Sequence, residues 1–290
     1  MRAEFLEALG LDEARCQVSP VSGGDIHQSY RVEGPGEQVL FVKTNTAPLP
    51  EIFEKEARGL EALRRAAEED GGLLQVPRVL RAGPSFLALE WIPTSPNPSR
   101  RTARQLGEGL AALHRHSNPQ FGWSEDNWIG WLPQPNRPVG LQGDGAHFFA
   151  LRRLGAQAEL GRQKLPPSLL SRIDRFCSRI GNFLPISQEV PSLVHGDLWG
   201  GNWTADTQGR PWIFDPAPHF GCREAELAFT HLFGGFPPDF YEAYEASSPL
   251  LAGFTERVDI WNLYPLLTHA NMFGGGYASR AESILKRYVG

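Results

Sequence analysis

The stretch that most restricts how this chain can fold is Ser192-Leu193-Val194-His195-Gly196-Asp197-Leu198-Trp199-Gly200-Gly201-Asn202-Trp203, followed by Pro211-Trp212-Ile213-Phe214-Asp215-Pro216-Ala217. It reads as a strand, a tight polar loop, a second strand, and then a further hydrophobic strand that ends on an acid. Four residues separate Asp197 from Asn202, and Asp215 lies one short hairpin further on. Any fold built on this pattern holds two carboxylates and an amide at the ends of adjoining hairpins.

Protein kinases present the same parts as H-R-D-x-x-x-x-N and D-F-G. In those enzymes the first Asp takes the proton of the acceptor hydroxyl, while the Asn and the second Asp hold Mg²⁺ against the nucleotide phosphates. Phosphoryl transfer asks little covalent help of a protein. It needs an oriented hydroxyl and cations against phosphate charge, which Asp197, Asn202 and Asp215 can arrange.

The remaining parts of such a site can be sought upstream. Val39-Leu40-Phe41-Val42-Lys43 alternates as a strand, with Leu40 and Val42 on one face and Phe41 and Lys43 on the other. Gly23-Gly24 sits between two strand-like runs, where main-chain N–H groups could approach phosphates that Lys43 also reaches, or could simply close a hairpin. Residues 50–68 carry Ile52, Phe53, Ala57, Leu60 and Leu63 at helical spacing. Glu56, beside that stripe, is the candidate partner for Lys43, with Glu54 as competitor. Residues 77–80 and 85–93 read as two more strands. They run into Pro93-Thr94-Ser95-Pro96-Asn97-Pro98, which neither continues a sheet nor starts a helix readily. The expected division therefore falls there, giving a nucleotide-binding lobe over 1–92 and a catalytic and acceptor-binding lobe over 93–290. The backbone of Glu90, Trp91 and Ile92 then occupies the place of a hinge that meets adenine.

Beyond it, residues 99–116 read as a helix. The loop Phe121–Asn136 is dense in Trp, Asn, Asp and Gln, as a sugar-contacting surface is, although its rings could equally pin a long loop. Asn127 in this loop is a candidate acceptor contact. Helices are expected at 144–162, 167–182, 238–246, 253–270 and 277–288, with a loop from Asp215 into the Arg223-Glu224-Ala225-Glu226 helix start. His269 and Asn271, in the segment His269–Tyr277 that ends the 253–270 helix in a glycine turn, could face an acceptor.

Several other chemistries are disfavoured. No G-x-x-x-x-G-K-[ST] and no G-x-S-x-G occurs. The histidines lack the spacing of a hydrolytic metal set. A net charge of −5 argues against a broad nucleic-acid footprint. Three widely spaced cysteines, Cys16, Cys177 and Cys222, suit a reducing compartment. No apolar run approaches a membrane span, and the first seven residues carry acids where a signal peptide is apolar. A cytoplasmic monomer is the expectation.

Across almost its whole length the chain resembles the fructosamine kinase (ketosamine-3-kinase) family, relatives of the aminoglycoside and choline kinases. The resemblance rests on Gly23–Tyr30, Phe41-Val42-Lys43 and Phe53-Glu54-Lys55-Glu56-Ala57. It continues through Asn127-Trp128-Ile129-Gly130, Pro133-Gln134-Pro135-Asn136, Arg223–Ala228 and Leu232–Phe236. The Leu198-Trp199-Gly200-Gly201-Asn202 tail of the central loop is its most specific part. The resemblance implies an α+β, two-lobe, protein-kinase-like fold and transfer of phosphate from ATP to the 3-hydroxyl of a sugar ketosamine, free or on protein lysine. The phosphorylated product falls apart, which amounts to deglycation repair. Bacterial members favour smaller ketosamines, such as ribulosamines and erythrulosamines.

By motif match, Asp197 is the catalytic base, Asn202 and Asp215 are the Mg²⁺ ligands, and Lys43 with Glu56 holds the nucleotide. Trp199 stacks on the sugar, with His269 and Asn271 as further acceptor contacts. The chain departs from the family at Cys222, where relatives carry His. It departs again at Asp25, where some carry a redox-active cysteine.

Overall fold

The computed structural model describes residues 2–21, 27–138, 144–184 and 189–290. Gly23, Gly24 and Asp25 lie outside the described residues. The chain begins with α1 (Arg2–Ala8), β1 (Gln17–Val21), β2 (Gln28–Glu33), β3 (Val39–Thr44), α2 (Ile52–Glu69), β4 (Val79–Gly83) and β5 (Phe86–Glu90). The five strands form one antiparallel sheet in the order β1-β2-β3-β5-β4. The alternation expected of β3 holds. Leu40 and Val42 pack with Phe5, Leu6 and Val32 under α1, while Phe41 and Lys43 face a cleft on the other side.

The segment after β5 does what its prolines argued against. Thr94–Ser95 forms a two-residue β6 that pairs antiparallel with β10 (Trp203–Asp206), itself paired with β11 (Pro211–Ile213). Both residues of β6 are free to donate, and the prolines stand just outside the pairing, at 93 and 96. Then follow α3 (Arg100–Leu113) and the hairpin β7 (Asn127–Ile129) and β8 (Leu132–Gln134) inside the aromatic loop.

A continuous helical stretch comes next: α4 (Gly145–Phe148), a widened π turn (Phe149–Gly155) and α5 (Ala156–Leu160). After α6 (Pro167–Cys177) come β9 (Ser192–Val194), β10, β11 and an unforeseen β12 (His219–Gly221), which pairs antiparallel with β9. The chain ends in α7 (Arg223–Leu232), α8 (Pro238–Ser247), α9 (Phe254–Trp261), α10 (Leu263–Phe273) and α11 (Tyr277–Val289). The single helix expected over 253–270 is thus two, broken at Asn262, whose buried amide donates to the Ala228 carbonyl at 2.9 Å.

One apolar cluster fills the C-terminal helices around Phe176, Trp261 and Leu266. A second lies where the halves meet. It joins Phe53, Leu60 and Leu63 of α2 to Leu106 and Leu110 of α3, and to Leu198, Trp203 and Ile213 of the central hairpins. The hairpins are therefore seated on the same core as the helix that carries Glu56. Among the described residues no helix is long and apolar enough to cross a membrane.

Candidate active site

A cleft of about 1050 Å³ runs between the β3 face, the β5 end and the central hairpins. Lys43 reaches into it from β3. Its Nζ lies 2.6 Å from Glu56 Oε1 and 2.5 Å from Asp215 Oδ1. Glu56, not Glu54, is thus the α2 residue that meets the strand lysine. Burial alone would push the Lys43 ammonium down, but Asp215 and Glu56 outweigh it and raise it, so Lys43 is a fixed cation at the cleft wall.

Asp215 is presented by an unusual backbone. Its φ of 59° is left-handed, a conformation that Asp tolerates better than most side chains. The turn it makes is held from both sides. The Phe214 N–H donates to the Asn202 carbonyl at 3.1 Å, and the Ala217 N–H donates to the His195 carbonyl at 3.0 Å.

The central loop is held from beneath. Glu226 of α7 accepts the backbone N–H groups of His195 at 3.1 Å and Gly196 at 2.7 Å, and its Oε1 also lies 2.9 Å from His114 Nε2. Burial would raise this carboxyl, but the His114 contact and the backbone donor of Gly196 hold it below the usual glutamate range. The Asp197 N–H donates to His195 Nδ1 at 3.3 Å. That leaves the Nε2 proton of a neutral His195 to the Phe214 carbonyl, 2.9 Å away. Asn202 Nδ2 donates to the Asp197 carbonyl at 2.8 Å and to Asp197 Oδ2 at 3.2 Å. Burial, then the nearby Asp215 charge, raises the Asp197 carboxyl well above its usual range; its partial access to cleft water tempers the shift without reversing it.

The other sequence candidates fall into three groups. Glu90, Trp91 and Ile92 border the cleft beside Phe41 and Leu89. The Glu90 side chain is engaged, accepting the Arg78 N–H at 2.6 Å, and Arg31 stands over the Trp91 ring at 5.2 Å. Trp199 and His269 border the opposite end, and the Trp199 indole lies across Gly201, where an added Cβ would meet the ring at 2.3 Å.

Asn127 and Asn271 are differently employed. Asn127 borders the cleft, yet its amide is spent: Nδ2 donates to the Pro218 carbonyl at 3.1 Å, and Oδ1 accepts from Gln134 and Asn136 at 2.8 and 2.6 Å. Asn271 does not face an acceptor at all. It donates to the Gln157 carbonyl and side chain at 2.9 and 2.7 Å within the helical core. The reason is that α10 runs on to Phe273, so Asn271 is helical and stands roughly 200° around the axis from His269.

Sequence reasoning missed a buried polar network behind Asp215. Gln134 Nε2 donates to the Ala217 carbonyl at 3.0 Å, the Tyr264 hydroxyl donates to Gln134 Oε1 at 2.6 Å, and Arg153 Nη2 donates to Asn136 Oδ1 at 2.7 Å. Together with Asn127 it holds the Pro216-Ala217-Pro218 segment. The density of amides in the aromatic loop was the available signal, and the structure uses most of them for anchoring. His27 was also missed. It borders the cleft 4.8 Å from the Phe53 ring, and burial and then Lys43 push it down to about 4, so it is neutral.

Asn202 and Asp215 offer an amide and a carboxylate oxygen, the hard donors Mg²⁺ takes when water and substrate phosphates complete its shell. Among the described residues no cluster of three or more His, Cys, Asp or Glu side chains could cage a metal. The donor set therefore fits a cation that arrives with a nucleotide.

The fructosamine kinase family pattern matches residues 3–290. The chain belongs to the fructosamine kinase family. A probable ketoamine kinase of Synechocystis sp. is 41% identical over 276 residues, covering 92% of this chain and 88% of the relative. The crystal structure of a Thermobifida fusca protein assigned as a fructosamine-3-kinase superposes with a TM-score of 0.84 at 30% identity, covering 98% of this chain and 96% of that one. A choline kinase from Streptococcus pneumoniae shares the fold, with a TM-score of 0.64 at 14% identity over 99% and 98% of the two chains. This fructosamine kinase family member is an ATP-dependent phosphotransferase with a hydroxyl acceptor, on a protein-kinase-like α+β fold.

Proposed function

We propose that the protein phosphorylates the 3-hydroxyl of sugar ketosamines, free or carried on protein lysine, and so releases the amine in deglycation repair. The observation that carries this reading is the convergence of Lys43 from the first sheet with Asp215 of the central hairpins at 2.5 Å, with Asp197 and Asn202 bonded to each other beside them. Family membership supports the choice of acceptor.

In this reading the nucleotide lies between residues 1–92 and 93–290, against the backbone of Glu90, Trp91 and Ile92. Lys43 binds the phosphates as a permanent cation, and Glu56 keeps it aimed. Asp197 accepts the proton of the O3 hydroxyl and orients that oxygen in line with the γ-phosphorus. The new O–P bond forms as the bond to ADP breaks. Asn202 and Asp215 would hold Mg²⁺, which supplies positive charge against the phosphates. Trp199 places a flat ring beside the sugar, His269 lies further along the same wall, and both are bordered by the cleft. Since one chain supplies every one of these groups, we read the working unit as a cytoplasmic monomer.

A phosphate-transfer screen over ribulose-, erythrulose- and fructose-lysine with ATP tests the proposal. Transfer to at least one ketosamine, with the smaller sugars favoured, is expected. Turnover of choline or an aminoglycoside with no ketosamine turned over would defeat it.

A further inference from the structure

The acceptor end of the cleft is walled by a run of rings that the phosphate chemistry does not use. From Trp199, two residues past Asp197, the belt passes edge-on to Phe233 (centroids 6.4 Å apart), to His269 (4.9 Å) and then to Tyr277 (5.1 Å from His269). It continues from His269 to Phe273 (5.6 Å) and ends edge-on at Trp131 (5.3 Å). Trp199, Phe233 and Phe273 are 40%, 39% and 47% exposed. Large apolar side chains left contiguous at a cleft mouth mark a binding surface.

The electrostatics of the belt are equally particular. The carboxylates bordering the cleft among the described residues are Glu56, Glu90, Asp197 and Asp215. Glu56 pairs with Lys43, Glu90 holds Arg78, and the two aspartates serve the chemistry. None stands among the rings. The belt carries no cation either: burial lowers His269, whose Nδ1 is occupied by the Pro265 carbonyl at 2.8 Å. An ammonium entering here meets ring faces, which attract it, and finds no acid to pair with a second positive charge.

Building on the ketosamine reading, we propose that this ring belt is a subsite for the amine carrier. It takes an acceptor with a single ammonium whose nitrogen bears an extended apolar or aromatic substituent, and it discriminates against carriers with a carboxylate or a second cation. The sugar lies at Asp197 and Trp199, while the carrier runs outward over Phe233, Tyr277 and Phe273.

The test compares ribulose adducts of benzylamine, glycine and 1,3-diaminopropane as acceptors, reading kcat/KM for each. The benzylamine adduct is expected to exceed the other two by about tenfold, mostly through KM. Phe273→Ala, at an exposed position near the end of α10, should shrink that ratio several-fold. Equal kcat/KM across the three carriers, or a preference that Phe273→Ala leaves intact, overturns the subsite. So does a concentration-dependent dimer that Phe273→Ala disperses, since the belt would then be an interface between copies. If no ribulosamine is phosphorylated while another alcohol is, the ketosamine reading itself has failed, a result distinct from turnover without carrier preference.

Discussion

An ionised carboxylate at Asp197 is what proton acceptance requires, yet burial and the neighbouring Asp215 both favour its protonated form. Asp197→Asn should therefore act in opposite directions on activity and stability. Turnover falls by about 10²–10⁴-fold, the usual share of a general base, while ATP affinity measured by titration calorimetry is largely kept. The folded-state value lies above the unfolded one, so the native protein binds the extra proton in between. Stability is then lost as pH rises through that window. Melting curves should show Asp197→Asn more stable than the parent at neutral pH, with the gain fading as pH falls from the raised value towards the ordinary aspartate range and absent below it. A gain that stayed constant across pH would contradict the assigned burial cost. At this scale much was readable in advance, because Asp197, Asn202 and Asp215 sit within one local motif and Lys43 sits on an obvious alternating strand. Asn271 was misread because its orientation depends on where α10 ends, and Gly274 to Gly276 allow that end at more than one residue.

The helix that carries Glu56 is fixed to the segment after Asp215 by the absence of a methyl group. A Cβ on Gly59 would stand 2.8 Å from Pro218 Cγ and 3.0 Å from its Cδ, atoms of a rigid ring that cannot swing aside. Alanine here gains about 1 kcal/mol of helix propensity but costs roughly 1–3 kcal/mol of overpacking, so the clash wins. Gly59→Ala should lower the melting temperature and, by levering α2 away from Asp215, raise the KM for ATP several-fold. A variant as stable and as active as the parent would show that α2 is not positioned this way. The long elements α2, α3 and α11 were legible because each repeats its apolar stripe over three or more turns. β6, β7, β8 and β12 were not, because two or three residues carry no period; β7 and β8 pair only with each other, and β6 and β12 exist through the distant partners β10 and β9.

At the scale of the molecule, the groups proposed to handle phosphate come from β3, α2, the central loop and the segment after β11, and one apolar core beneath them joins α2, α3 and the hairpins. No metal-caging cluster contributes to it among the described residues. EDTA should therefore abolish phosphate transfer in a coupled assay yet leave the melting temperature of the nucleotide-free protein unchanged. A large drop in that temperature would reveal a structural metal. Sequence reading expected a division near residue 92; the shared core that joins α2 to α3 and the hairpins across that position, and the β6–β10 pairing just beyond it, do not follow from local pattern.

The π turn at Phe149–Gly155 sets how Arg153 is aimed. Such a turn is what a helix becomes when one residue is inserted without altering its two ends. Removing one residue there would restore a regular α-helix with its hydrogen-bond ladder complete and both ends in place, while side chains within the turn move by about 100° around the axis. Arg153 would swing off Asn136 and away from the Tyr264 ring it now covers at 5.4 Å. A variant one residue shorter here, with an unbroken helix, would thus lack this guanidinium brace behind the Pro216–Pro218 loop.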